Sequence, residues 1–205
     1  MPPMLTLDAL DTRLSVPTRQ LAAPGPGEAQ LLRMLRTAAR VPDHGKRVPF
    51  RFLRIAGDAR RAVADAAEAR LRERDPDAGD AVIQKLRTRF TTPPLTLAVI
   101  ARLGFDEEIP ASERAATASC ACLMLLQAAQ AEGFGAQWLT GWPAYDRPFL
   151  EGTLGLSPDE QLAGAIAIGT PLVQAPERDR PEVTALLTDL RLEAGGDGTA
   201  GGRIG

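Results

Sequence analysis

The chain mixes two hydrophobic patterns, one that recurs every three or four residues and one that is nearly continuous over short stretches. Residues 28–39 carry a single apolar stripe and therefore predict an amphipathic helix. Residues 95–101 are apolar almost throughout, which indicates a central strand covered on both faces. Residues 111–132 are apolar around most of a helix's circumference, as expected of a helix in a core or a subunit interface.

The same patterns place the remaining elements. Further helices are predicted over about residues 5–10, 59–74, 78–90, 149–154 and 183–192. Further strands are predicted over residues 50–56, 136–140 and 162–169. About four strands separated by helical segments indicate the α+β class, with one sheet and helices packed on it. We expect a single domain over residues 1–192 and a disordered, glycine-rich tail over 193–205.

Composition narrows the function classes. A formal net charge of −2 argues against a general nucleic-acid binder, which is usually basic. No apolar run reaches the roughly 18 residues that a membrane span requires, and the N-terminus lacks the basic and apolar regions of a signal peptide. Cys120 and Cys122 lie two apart in a helical pattern, and we interpret both as buried thiols of a cytoplasmic protein.

His44 is the only histidine in the chain, and this excludes several kinds of catalytic site. A His-Glu-x-x-His zinc site needs a second histidine, and the chain has no Cys-x-x-Cys pair. It also has no Gly-x-Ser-x-Gly elbow and no Gly-x-x-x-x-Gly-Lys-Ser/Thr loop. If the protein is an enzyme, we therefore expect a cofactor to carry the difficult step.

Three short segments carry the candidate chemistry. Arg40-Val41-Pro42-Asp43-His44 joins a predicted helix to a predicted strand and continues into the basic Gly45–Arg47 tripeptide. Such a loop offers cationic and neutral donors to an anionic, planar ligand. Thr12–Ser15 lies upstream, and Trp138–Gly141 lies downstream of the long helix.

The order and spacing of these segments, with Gly169-Thr170-Pro171 after the last strand, resemble the short members of the nitroreductase family. The resemblance covers about residues 8–185. It implies a central, mainly antiparallel sheet flanked by helices, and a homodimer with FMN at the subunit interface. In the family an Arg-Arg-Ser sequence grips the phosphate and ribityl chain. Here the corresponding residues are Arg13, Leu14 and Ser15, so one cation is missing and only the backbone of Leu14 could serve.

The resemblance also implies roles for the other two segments. Arg40 and His44 are expected to contact flavin, with Phe50 in place of a tryptophan that is usual in the family. Trp138, Leu139 and Thr140 are expected to run beside the flavin and to offer backbone and hydroxyl contacts. Longer family members place a phosphate-binding basic residue near Arg178 and Arg180, of which Arg180 is the stronger candidate.

Each of these residues also has an ordinary structural interpretation. Arg13 and Ser15 fit a solvated helix end, and an arginine at position 40 could serve the dipole of the preceding helix. His44 could be a surface or structural histidine, Trp138 a core aromatic, and Arg180 a solvated cation. The residues alone leave these alternatives open.

The resemblance implies an FMN-dependent oxidoreductase. NADH or NADPH would reduce the flavin by hydride transfer to N5, and a nitro compound, a quinone or a similar small molecule would accept the electrons. No catalytic acid or base and no metal ligand is assigned, and no nucleic-acid or membrane partner is expected. The alternative is a non-catalytic protein of the same fold that binds flavin or another small ligand.

Overall fold

The computed structural model describes residues 6–190, which form a five-stranded sheet with helices on both faces. The helices are α1 (Leu7–Asp11), α2 (Glu28–Ala38), α3 (Ala59–Arg74), α4 (Asp80–Thr91), α5 (Ala111–Ala131) and α6 (Arg147–Leu154). The strands are β1 (Leu21–Ala22), β2 (Phe50–Ala56), β3 (Leu95–Arg102), β4 (Gly135–Leu139) and β5 (Glu160–Pro171). The predicted tail over 193–205 lies outside the described residues.

Strand β5 organises the sheet. It pairs with β3 and with β4 through the same stretch of residues, so these two strands lie on its opposite edges. Strand β2 continues the sheet beyond β3, and the two residues of β1 pair with the end of β5. All of these pairings are antiparallel. The α+β class and the antiparallel sheet are therefore confirmed.

Strand β3 is buried on both faces, as its apolar sequence predicts. Leu97 and Val99 pack into one core cluster with α2 and α5. Ala98 and Ile100 point to the opposite face and pack with α3, α4 and α6. Alternating side chains of a strand point to opposite faces, so a strand covered twice needs apolar residues at every position.

Helix α5 covers one face of the sheet with only part of its circumference. Ala118, Ala121 and Leu125 are fully buried, whereas Leu123 is 44% exposed. The prediction that both cysteines are buried is wrong for this chain by itself, since Cys122 is buried and Cys120 is exposed. Two residues that are two apart on a helix point in directions about 160° apart, so both cannot face one core.

Two other expectations differ from the structure. Residues 183–192 were predicted to be helical, but the described part holds only a 3-10 turn, Val183–Leu186, and no regular structure from 187 to 190. These residues are exposed, and a short helix needs tertiary packing to be stable. The strand β1 was not predicted because two residues show no periodicity.

Candidate functional site

The Arg13–Ser15 segment runs beside strand β4. The backbone N–H of Val16 donates to the carbonyl oxygen of Ala136 at 2.9 Å, and the N–H of Thr18 donates to the side-chain oxygen of Gln137 at 2.8 Å. Arg13 and Ser15 are half-buried, and Arg13 Nη1 lies 3.4 Å from Ser15 Oγ. The structure thus brings the first predicted segment to the outer edge of the strand that carries Trp138 and Leu139.

Arg13 and Arg180 share an open depression of about 330 Å³, lined also by Leu10, Asp11 and Glu177. Arg180 donates from Nε and Nη2 to Glu177 Oε1, at 3.0 and 2.7 Å. The backbone N–H of Arg178 and the Arg180 guanidinium lower the pKa of Glu177. Two guanidinium groups suit a phosphate, although a phosphate here would have to replace Glu177 as the partner of Arg180.

Trp138 is half-buried, and its side chain packs against the core cluster that contains α5. A Cβ atom at Gly164 would lie 2.1 Å from Trp138 Nε1, so the indole requires a glycine at that position of β5. The indole N–H is buried and has no hydrogen-bond partner within the described part of the chain. This placement agrees with a core aromatic, and only the backbone of Trp138 faces the strand edge. Leu139 packs on the other face of the sheet, near Leu14.

Thr140 and Gly141 form the loop that leaves β4. Gly141 has φ 88° and ψ −174°, a backbone conformation that favours glycine. Arg89 of α4 donates to the carbonyl oxygen of Thr140, and a Cβ atom at Gly141 would lie 3.2 Å from Arg89 Nη1. Sequence reasoning missed Arg89, because one arginine in a charged helix is indistinguishable there from the arginines that stay in solvent.

The Arg40–His44 loop docks on the N-terminal half of α5. His44 Nδ1 lies 2.9 Å from Glu113 Oε2, and Thr117 Oγ1 donates to the carbonyl oxygen of Pro42 at 3.1 Å. The His44 side chain is 66% exposed, and Arg40 is exposed as well. These two predicted residues therefore lie together on one loop at the surface.

The two predicted regions lie at opposite ends of α5. Gln130 Nε2, near the end of the helix, donates to Thr12 Oγ1 at 3.0 Å, whereas Thr117 holds the Arg40–His44 loop. Thr117 and Gln130 are thirteen positions apart on the helix, which corresponds to about 20 Å along the helix axis. Within one chain, the structure brings Arg13, Leu14, Ser15 and Arg180 together near the start of β4 and leaves Arg40 and His44 near the other end of α5. Trp138 and Leu139 lie further along β4, and Thr140 follows its end.

The Nitroreductase family matches residues 11–170 of the chain. This chain belongs to the nitroreductase family. The family inferred from its sequence motifs is therefore confirmed.

Individual members of the nitroreductase family agree with this result. A relative from Escherichia coli (strain K12), provisionally named the NAD(P)H nitroreductase YdjA, is 30% identical over 156 residues, covering 76% of this chain and 84% of the relative. A crystal structure of a nitroreductase-like family protein from Bacillus cereus has a TM-score of 0.75 at 20% identity, covering 93% and 98% of the two chains. A Bacteroides fragilis nitroreductase with bound FMN has a TM-score of 0.64 at 17% identity, covering 90% and 98%.

The residues at the β4 edge fit a cofactor that carries a phosphate and a planar ring. The depression beside Arg13 and Arg180 offers cationic donors for the phosphate. Next to it, a groove of about 310 Å³ is lined both by apolar residues such as Leu14, Val16 and Phe134 and by polar residues: Thr12, Gln130 and Gln174. Among residues 6–190, no group of three or more histidine, cysteine or acidic side chains could hold a metal ion. In the same range, no helix combines the length and the apolar character that crossing a bilayer would take.

Proposed function

We propose that this member of the nitroreductase family is an FMN-dependent NAD(P)H oxidoreductase that reduces a nitro compound, a quinone or a similar small acceptor. Family membership supports an oxidoreductase, and the name of the Escherichia coli relative supports NADH or NADPH as the electron donor. The observation that carries the proposal is the position of Arg13, Ser15 and Arg180 beside the open edge of β4.

The phosphate of FMN would be held by Arg13, Arg180 and the Ser15 hydroxyl. Arg13 and Arg180 line one depression, and the Arg13 guanidinium already lies beside the Ser15 hydroxyl. Leu14, at the position of a second arginine in the family, leaves only its backbone groups for this purpose. Charged hydrogen bonds between guanidinium and phosphate are strong enough to anchor a dissociable cofactor.

When bound, FMN would supply the hydride-transfer chemistry. The protein would orient the ring through the backbone of Trp138, Leu139 and Thr140 and would stabilise the negative charge that accumulates on reduction. The protein would otherwise need only to stack the nicotinamide, and then the acceptor, against the flavin ring. Such a mechanism requires no catalytic histidine, in agreement with a single histidine that is exposed and paired with a carboxylate. We assign no side chain as acid or base.

A homodimer would complete the site. Arg40 and His44 lie about 20 Å along α5 from the Arg13 region of the same chain, too far to contact a phosphate group that Arg13 holds. Two α5 helices that cross in antiparallel orientation about a two-fold axis would place the Thr117 end of one beside the Gln130 end of the other. Arg40 and His44 of the second copy would then reach the flavin held by the first.

The surface of α5 is suited to such a contact. No charged residue lies between Arg114 and Glu132, and the face away from the sheet presents Ala116, Cys120 and Leu123. A stripe of this kind on a monomer surface is typical of an interface. The residues after β5 add a second apolar surface, because four of their aliphatic side chains are largely exposed: Val183, Leu186, Leu187 and Leu190. A stable dimer of this type would bury on the order of 2,000 Å² or more.

An absorbance experiment tests the proposed function. The purified protein, supplied with FMN and freed of excess, should show bound-flavin absorbance in one-to-one proportion with the chain. Anaerobic NADH or NADPH should bleach this absorbance, and a quinone or nitroaromatic compound should restore it. A yellow protein that neither nucleotide bleaches would favour the non-catalytic flavin-binding alternative. A protein that stays colourless with added FMN would contradict both.

A further inference from the structure

Arg89 is a partly buried arginine without a carboxylate partner among the described residues. Its polar contact is with the carbonyl oxygen of Thr140, and burial lowers the pKa of its guanidinium without any compensating acid. Arg87, two residues earlier on α4, binds the carboxylates of Asp65 and Glu68, each at 2.6 Å. The two arginines share a helix, but among the described residues only Arg87 has carboxylates that balance its charge.

The surroundings of Arg89 are otherwise apolar. It lines a small cavity of about 20 Å³ together with aromatic and aliphatic side chains such as Ile55, Phe90, Phe149 and Leu162. A cation without a counter-charge in such surroundings destabilises the fold, because it loses hydration without gaining an ion pair. Because Arg89 lowers the stability of the fold and contacts the loop after β4 through Thr140, we expect its function to lie at that loop.

The loop is the one that leaves β4 beside the proposed flavin site. In a trans peptide the carbonyl and the N–H point in opposite directions. An arginine that holds the Thr140 carbonyl on the α4 side therefore turns the Gly141 N–H of the same peptide away from α4. The cation also polarises this peptide and makes its N–H a stronger donor, more so in weakly polar surroundings.

The glycine at position 141 allows Arg89 to reach the Thr140 carbonyl. Its positive φ of 88° suits glycine, and the guanidinium occupies the space that a side chain would need, with Arg89 Nη1 3.2 Å from an ideal Cβ. The loop conformation and the position of the arginine are thus coupled.

We propose that Arg89 is a positioning residue that, through the Thr140 carbonyl, orients and polarises the Thr140–Gly141 peptide and so favours the negatively charged reduced form of the bound flavin. This inference rests on the proposed function, because it requires flavin beside β4. It implies that α4 raises the midpoint potential of the flavin, although no residue of α4 needs to contact the ring.

The test compares the midpoint potential of bound flavin in the wild-type protein with that in Arg89→Met, Arg89→Gln and Arg89→Lys. Arg87→Gln, on the same helix, is the matched control. Loss of the charge should weaken binding of reduced FMN relative to oxidised FMN about tenfold, which lowers the two-electron midpoint potential by about 30 mV. Arg89→Lys should retain most of the wild-type value, and Arg87→Gln should retain all of it.

Arg89→Met should fold, since it replaces an unpaired cation by an apolar chain of similar length in an apolar cavity. Arg89→Gln provides an independent uncharged variant that keeps a donor for the Thr140 carbonyl. If both variants bind FMN and keep the wild-type potential while only their Tm changes, Arg89 is merely structural and the inference is overturned. A wild-type protein that binds no FMN would instead defeat the proposed function, so the two failures are distinct.

Discussion

Arg13 and His44, which lie near opposite ends of helix α5, differ in what already binds them. At the C-terminal end, Arg13 lies in an open depression, and its side-chain hydrogen bond among residues 6–190 is to the Ser15 hydroxyl. At the N-terminal end, the carboxylates of Asp106 and Glu108 bind Arg47, and Glu113 binds His44. The family resemblance predicted that both regions contact flavin. Whether a basic residue is free to bind an anion depends on its acidic neighbours in the fold, which the sequence does not show.

This comparison gives different expectations for the two ends. At the first end, Arg13 has no carboxylate partner among residues 6–190 and is available to an anion, whereas Arg180 is paired with Glu177. The His44 end needs a second copy of the chain to bring it to the same ligand, and His44 there is already paired with Glu113.

Leu123→Glu should have the largest effect, because it would place a charge at the centre of the proposed dimer interface. An unpaired charge in a buried interface costs about 3 kcal/mol or more, so the variant should be a monomer at micromolar concentration and should lose FMN on dilution. Light scattering and flavin absorbance measure the two effects. Leu32→Glu on α2 is the matched control, since Leu32 is 43% and Leu123 44% exposed in the single chain.

The cysteines give an independent measurement of the same contact. Cys120 lies on the exposed stripe of α5, and burial raises the pKa of the Cys122 thiol to about 12. A thiol reagent at neutral pH should therefore modify Cys120 quickly in Leu123→Glu and slowly in the wild-type dimer, and Cys122 in neither. Equal, rapid modification of Cys120 in wild type and variant, together with a wild-type monomer that holds stoichiometric FMN, would defeat the dimer.

Arg13→Ala should weaken FMN binding by about 1.5–3 kcal/mol, the range for a hydrogen bond to a charged group. This corresponds to roughly a ten- to hundredfold higher dissociation constant, measured by flavin fluorescence titration. Arg19→Ala changes an exposed arginine nearby and should have little effect. An unchanged dissociation constant for Arg13→Ala would remove this residue from the phosphate site.

His44→Ala should weaken FMN binding less than Arg13→Ala does, by under tenfold, because the imidazole already has Glu113 as a partner 2.9 Å away. The same titration, with the flavin midpoint potential as a second measurement, tests this order. If both quantities stay at their wild-type values while the Tm falls, His44 has only a structural role. An effect larger than that of Arg13→Ala would reverse the contrast between the two ends of α5.

Asp106→Asn should loosen the contact between the loop at residues 40–47 and the chain after β3. Backbone N–H groups of Ile109 and Glu108, followed by the Arg47 guanidinium, lower the pKa of Asp106 to about 2. A carboxylate with a lowered pKa in the folded state stabilises the protein above its ordinary pKa and loses this contribution as the pH falls toward 2.

The Tm of Asp106→Asn should therefore lie below that of the wild type by a few degrees at most at pH 7. The difference should shrink between about pH 4 and pH 2. Asp58→Asn, which changes a carboxylate with a 93% exposed side chain paired to Arg61, is the control. A Tm difference that persists at pH 2 would show that the carboxylate charge of Asp106 is not what holds the loop.

Much of the fold could be predicted because its elements are long and regular. The helix at Ala59–Arg74 has the predicted bounds, and the strand at Phe50–Ala56 does as well. The helix at Ala111–Ala131 ends one residue earlier than expected. Each of these elements carries a periodic pattern over many residues, which averages out local ambiguity. The two-residue β1 and the exposed Val183–Leu186 turn lack such a pattern, and they are where prediction was absent or wrong.

The motifs were enough to identify the family, since their order and spacing can be read directly along the chain. The α+β class could also be predicted, because strand and helix periods are local properties. Which side chains meet depends instead on how the elements pack. Arg89 reaches Thr140 from 51 residues away, and α5 keeps Arg40 and His44 apart from Arg13. Such pairings depend on strand register and helix packing, which no local spacing of residues encodes.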